Sequence, residues 1–400
     1  MSRQMLATAE YRAARSVIPA MATDRLTVEI QRHVDLEPHD ARTLDAIMNG
    51  RPYVGAFLSP AWLNAFFTSP PPGSDMFLLL FRQGIELRAL VPLMVRQTLT
   101  HVRVSLVGGA SGSDRVDLLA ARGFEALAAD TFLGWLAQTF GAKGYLLELR
   151  DVPATSSLWG AIHRAGVEAT ARITMQPREI YTLPYLALDT GDPPTAPDSP
   201  SARALVSLVK HRRWLEHRCH LHTALVDSPD DALDAFDQMR RFLRARWRGA
   251  ASSVLEDPSV VNRHRVTLPR LMAEGRLRMI RLTGDNRTIA VFYGIASGKW
   301  WGYYLAGYDR EWAGRIRLGQ ITLAAAIEFA RREGATEFDF LKGSERMKYV
   351  WPVRERATID ADVFSERSGA QFARATRATR DAAAALSKSA KGLLPASLNV

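Results

Sequence analysis

Two helix–Gly-Ala–strand junctions, 193 residues apart, constrain the fold of this chain more than any other feature. The first begins at Gly141, where a helix over 124–140 hands over to GYLLEL (144–149). The second begins at Gly334, where a helix over 319–333 hands over to EFDFL (337–341). Glycine is favoured just past a helix end because it enters the left-handed region without a Cβ clash. The same pieces precede each junction. MFLLLF (76–81) and LRALVPLM (87–94) form a hairpin over Gln83–Glu86, and VRVSLV (102–107) follows. LRMIRLT (277–283) and TIAVFYGIAS (288–297) form a second hairpin over Gly284–Asn286, and WWGYYLAGY (300–308) follows. Each helix has one apolar face: Ala128, Phe132, Trp135, Leu136 and Phe140 in the first, Leu323, Ala324, Ile327 and Ala330 in the second. An order of elements repeated with little sequence identity predicts two α/β domains in tandem.

The boundary is expected in DTGDPPTAPDSPS (189–201), the clearest linker composition in the chain. The predicted organisation is a loose N-terminus (1–24), a first domain (25–188), this linker, a second domain (202–365) and a basic, Ala-rich tail (366–400). With 47% apolar residues the chain can bury proper cores, and a net charge of +10 favours acidic ligands. Cys219 is the single cysteine, which excludes disulfides within the chain and cysteine-rich metal sites. MSRQMLATAEYRAARS lacks the apolar core of a secretory signal, and runs such as MFLLLF are strand-sized, so a soluble, cytoplasmic protein is expected.

The segment RIRLGQITLAAAIEFARREGATEFDFLKGSERMKYVW (315–351) carries the chemistry. Arginines beside a glycine at a helix start make an anion site, because free N–H groups and the helix dipole both favour negative charge. No HExxH, GxSxG or GxxxxGK[ST] pattern occurs, and GGASGS (108–113) reads as a flexible loop rather than a phosphate cradle. Two basic stretches, Lys210–Arg218 and Arg240–Arg248, are either solvated helix faces or recognition surfaces for phosphates and carboxylates. Trp214 and Trp247 alone are too few aromatics for nucleic-acid binding. A tyrosine (Tyr304 or Tyr308) can protonate a thiolate leaving group, and a carboxylate (Asp339 or Glu345) can deprotonate an amine. Asp339 alternates with Phe338 and Phe340. Either it points into a cleft, or it pairs with Lys342 or Arg346.

The same segment, with its glycine turn, helix, DF-L-x-G strand and Lys-x-x-Trp ending, resembles the C-terminal signature of the CelD/BcsL-type (cellulose-biosynthesis-associated) branch of GNAT-type acyltransferases. Upstream, the RW of RARWRG, the Gly-x-Leu strand and the Gly-Tyr-Asp ending of AGYD resemble it too; FLSPAWL and LVPLM extend the likeness loosely over 50–180. The resemblance implies tandem GNAT-like domains as in the FemAB peptidyltransferases, each a mixed, mostly antiparallel sheet flanked by helices. It implies acetyl-CoA or another acyl-CoA as donor and an amine or hydroxyl of a sugar-related acceptor, in polysaccharide biosynthesis. Arg315, Arg317, Leu318, Gly319 and Gln320 then occupy the pyrophosphate turn, although only Gly319 of the usual Q/R-x-x-G-x-G/A is present. Lys348, Tyr349 and Trp247 fall to the acceptor. The rival expectations are a FemAB-like transferase using aminoacyl-tRNA, and a non-catalytic module of a polysaccharide-synthesis machine whose basic tail docks an acidic partner or membrane surface.

Overall fold

The computed structural model describes residues 25–109, 112–167, 173–188, 200–246, 254–313, 317–343, 345–367, 369–371 and 374–375. The first half runs β1 (Thr27–Gln31), α1 (Pro38–Gly50), α2 (Pro52–Gly55), α3 (Pro60–Thr68), β2 (Asp75–Gln83), β3 (Glu86–Gln97), β4 (Val102–Leu106), β5 (Leu119–Ala120), α4 (Glu125–Phe140), β6 (Tyr145–Pro153), α5 (Ser157–Val167) and β7 (Ile173–Ala187). The second runs α6 (Pro200–Arg218), β8 (His222–Leu225), α7 (Pro229–Arg246), α8 (Pro258–Ala273), β9 (Leu277–Gly284), β10 (Arg287–Ser297), β11 (Trp300–Tyr308), α9 (Arg310–Ala313), α10 (Leu318–Arg332), β12 (Glu337–Asp339) and β13 (Arg354–Ser365). Most of the linker, the N-terminal 24 residues and most of the tail lie outside the described residues.

The repeat is real at the level of topology. In each half an antiparallel hairpin and a third strand precede a helix, and the strand after that helix pairs parallel with that third strand: β4 with β6, β11 with β12. All other pairings among the described residues are antiparallel. Both halves join in one continuous sheet, ordered β1-β2-β3-β4-β6-β13-β7-β12-β11-β10-β9-β8, with β5 on β3. The chain's last strand does not stay with the second half. β13 inserts between β6 and β7, so residues expected in a 202–365 unit complete the sheet of the first half. β7 then bridges, pairing along β13 and, at Tyr185–Ala187, with β12.

The continuous apolar runs of the strands follow from helices on both faces of this sheet. Along β2, Met76, Leu78 and Leu80 enter one core while Phe77, Leu79 and Phe81 enter another. The first of these cores is shared: Leu44, Phe57 and Trp62 from α1–α3 and the turn between them pack with Phe236, Met239 and Leu268 from α7 and α8. The opposite face is covered separately, by α4 and α5 in the first half and by α6 and α10 in the second. A core common to the two halves brings α3 and the loop after β4 against β11.

Candidate active site

β11 and β12 pair only over Trp300–Gly302 and Glu337–Asp339, while β11 continues to Tyr308. Beyond Gly302 the pairing stops while β11 runs on, which leaves a break in the sheet, a notch, on that side; α10 follows β11 through α9. The parting has local causes. Leu341 (φ +54) and Gly343 (φ +118) turn the chain out of β12 in left-handed conformations. On the other side, Tyr304 is an extra residue in β11: Tyr293 faces Leu305 and Gly294 faces Tyr303, so Tyr304 has no ladder partner. Such a bulge re-aims a side chain. Tyr303 stacks on Phe292 (5.6 Å between centroids), whereas Tyr304 points the other way, among Phe57, Trp62, His264 and Tyr293.

The loop after β4 closes over this notch from the first half. Its described part is held, not free, which corrects the expectation of a flexible loop for 108–113. Tyr304 Oη donates to the Gly112 carbonyl (2.7 Å), Trp62 Nε1 donates to Ser113 Oγ (2.7 Å), and Ser113 N donates to the Gly108 carbonyl (2.9 Å). Gly108 (φ +85) is required here, because a Cβ would lie 1.9 Å from Ser113 Oγ. Next along the loop, Arg115 (φ +57) is fully buried. Its Nη2 donates to both oxygens of Asp339 (2.9 and 3.1 Å), and its Nη1 lies 3.4 Å from Asp151 Oδ2. Burial pulls the Arg115 guanidinium down, but the Asp339 and Asp151 carboxylates hold it above its usual value.

Asp339 is therefore not a cleft carboxylate. It is 0% exposed and also accepts from Leu341 N (2.7 Å); its cations are Arg115 and, at 3.9 Å, Arg356 rather than Lys342 or Arg346. Glu345 is exposed and paired with Lys348 (2.8 Å); burial of its carboxyl opposes that pairing, yet the lysine holds it below the usual range. A carboxylate so held is a weak base. Lys348 is itself buried, its Nζ donating to the carbonyls of Lys342 (2.8 Å) and Gly343 (3.2 Å), so it fastens the 342–348 loop instead of meeting an acceptor. Tyr349 is 40% exposed, and Trp247 and Arg315 lie outside the described residues.

The start of α10 is open in part. Arg317 precedes α10 and is exposed, α10 has no acidic residue in its first turn, and no side chain caps it. Gln320 N and Ile321 N both donate to the Arg317 carbonyl (2.9 and 3.1 Å), which leaves the amides of Leu318 and Gly319 without an acceptor within the helix. Gly319 abuts the Tyr308 ring, where a Cβ would sit 3.1 Å from Cε1, so a side chain there must push the ring aside by a few tenths of an ångström. Leu318 is a core residue, and Gln320 Nε2 donates to the Met347 carbonyl (2.9 Å), tying the helix to the loop.

Two residues missed in the sequence complete the site. Asp114, half-buried at the mouth of the notch, forms neither hydrogen bond nor ion pair among the described residues. Burial first, and then the Asp151 charge, push its carboxyl up to about 7 despite Arg115 nearby. Its charge reaches Tyr304, whose phenol is raised chiefly by burial. Arg263, on α8, is the one arginine not classed as exposed that has no hydrogen bond or ion pair among the described residues; it lies over the Phe66 ring (4.8 Å). Burial lowers its guanidinium, and its charge is felt by Tyr304 and by His264. Burial lowers His264 to about 3, so it is a neutral ring in the aromatic cluster at pH 7. The sequence did hold one signal for Asp114: SDRVD places three charges in an otherwise apolar stretch.

Residues 203–349, which hold the notch and α10, match the family described as acetyltransferase (GNAT) domain. The matched stretch, from α6 to the loop before β13, is similar to GNAT-type acyltransferase domains. A search of curated proteins finds no match. Among solved structures, the chain is similar to FemX (TM-score 0.55, 10% identity, covering 84% of this chain and 96% of that one). It is also similar to a conserved protein of unknown function from Bacteroides thetaiotaomicron (TM-score 0.51, 11% identity, 84% and 99% covered). Identities this low concern the fold. No group of residues suited to hold a metal ion occurs among the described residues, and no helix there is long and apolar enough to cross a membrane.

Proposed function

We propose that the chain transfers an acyl group from an acyl-CoA to an amine or hydroxyl of a sugar-related acceptor bearing an anionic group, in the CelD/BcsL-type branch that its C-terminal segment resembles. The observation that carries this reading is the placement of Asp114 beside the β11–β12 notch, free of hydrogen bonds and ion pairs among the described residues. The donor's fit rests on the open start of α10: Gly319 against Tyr308, Arg317 exposed, and no acid in the first turn. A thioester seated there supplies the electrophilic carbonyl.

Asp114 takes the proton of the attacking amine or hydroxyl; a carboxyl titrating near 7 suits this work because it is both ionised and basic at neutral pH. Tyr308, whose phenol forms no hydrogen bond among the described residues, returns a proton to the departing thiolate. Tyr304 instead orients the site, since its hydroxyl is spent on Gly112. Arg263, part-buried and with neither hydrogen bond nor ion pair among the described residues, offers its guanidinium to the acceptor's carboxylate or phosphate. Asp339 and Arg115 hold the covering loop on β12.

The test is thiol release from acetyl-CoA in the presence of glucosamine 6-phosphate and of glucosamine. Release that is faster with the phosphorylated sugar, and lost in Asp114→Asn, is the expected result. Consumption of aminoacyl-tRNA with none of acetyl-CoA would replace the donor with the FemAB-like one.

A further inference from the structure

Trp214 is 40% exposed on α6, an unusual cost for the largest aromatic side chain. One stripe of α6 faces its core: Leu208, Leu215 and Cys219 are buried. One flank is used against α10, where Arg212 pairs with Glu328 (3.1 Å). The other flank carries Lys210, Trp214, His217 and Arg218, all exposed and spaced i, i+4, i+7 and i+8. On this flank Trp214 meets Trp312 of α9 edge-to-face, with ring centroids 6.4 Å apart and planes at 70°. Trp312 packs on the core that contains Leu318, the first residue of α10. Arg317 is five positions further along the chain, a span of at most about 18 Å. α6 also touches the segment Lys348–Val350 beside that helix start.

Two indoles in edge-to-face contact, one of them 40% exposed on a helix flank that also carries Lys210 and Arg218, have the chemistry of a nucleotide platform. An adenine ring stacks on one indole, and its phosphates meet the cations. We infer that Trp214 and Trp312, with Lys210 and Arg218, bind the phosphorylated adenosine end of the acyl donor. This rests on the donor site proposed above. The same chemistry is offered by the 3′-phosphoadenosine of a CoA thioester and by the terminal adenosine of a tRNA, so the ligand class is a phosphorylated adenosine in either case.

The experiment uses the full chain and three probes: adenosine 3′,5′-bisphosphate, a single-stranded oligoribonucleotide ending in CCA, and S-acetyl-pantetheine, which lacks the nucleotide. Binding is followed by calorimetry in wild type, Trp214→Ala and Trp214→Phe. The expected result is that Trp214→Ala weakens one of the two adenosine probes about tenfold or more, the size of one lost stacking contact. Trp214→Phe should restore most of that loss, and S-acetyl-pantetheine should bind all three proteins alike. The adenosine probe that binds names the source. Equal binding of that probe to wild type and Trp214→Ala, or no binding of either adenosine probe to wild type, would overturn the inference. Failure of S-acetyl-pantetheine to bind the wild type would instead count against the thioester donor itself.

Discussion

The two helix–strand units of this chain share a topology and differ where it matters. In the first, Gly123 N donates to the Glu125 carboxylate (2.7 Å) at the start of α4, and Arg51 lies 3.5 Å from that same carboxylate. An acid already sits on the helix dipole. β4 and β6 also stop pairing, after Ser105 and Glu148, but β6 there runs on to Pro153 along β13 on its other edge. In the second unit, α10 starts with Arg317 and Gly319 and no acid, and β12 stops after three residues. One repeat has its anion site filled by its own side chain; the other keeps it open. The first half contributes something else, the loop bearing Asp114 and Arg115 that closes over the notch of the second. Duplication of a fold thus supplies one site and one cover.

Substitutions in the covering loop and at the two helix starts test this contrast. Arg115→Met should have the largest effect, a loss of about 3–5 kcal/mol in stability, because it leaves the Asp339 and Asp151 carboxylates buried without their cation. Urea denaturation reads this directly, and an unaltered midpoint would mean the loop is not anchored as described. Asp339→Asn should likewise lower stability more than it lowers the turnover of the protein that remains folded. Gly319→Glu places in α10 the acid that α4 already has and presses on Tyr308; acetyl-CoA affinity should drop by about two orders of magnitude. Asp114→Asn should cut turnover about 10²–10⁴-fold with acetyl-CoA affinity unchanged. Turnover of the wild type should climb as pH rises through about 7, where Asp114 loses its proton, and the variant should lose that dependence. Stability has the opposite sign. The folded carboxyl titrates above its unfolded value, so the native state is favoured most at low pH and loses that advantage as pH rises through 7. Asp114→Asn should therefore melt higher than wild type at pH 8, with the gap closing near pH 4. Smallest of all, Glu125→Gln should cost less than about 1 kcal/mol and confer no second donor site.

Periodicity made the elements legible: the two hairpins, the helices ending at Gly141 and Gly334 and the strands after them fall where local pattern put them. Pairing over long distances left no local trace. Nothing in the pattern of 354–365 says that β13 lies between β6 and β7. Asp339 was visible as an acid between aromatics, but its cation, Arg115, stands 224 residues earlier, so its sealed state could not be read. Tyr304 was legible as a candidate, and its bulge was not, because a bulge is a matter of register between two strands. Asp114 and Arg263 become site residues only when a shared core brings α8 and the loop after β4 to the same notch.

The most direct test is calorimetric titration of acetyl-CoA into wild type, Gly319→Glu and Glu125→Gln. The open α10 start predicts one site per chain, lost in Gly319→Glu and intact in Glu125→Gln. Binding that survives Gly319→Glu, or that is lost in Glu125→Gln, would contradict the claim that the second repeat alone holds the donor.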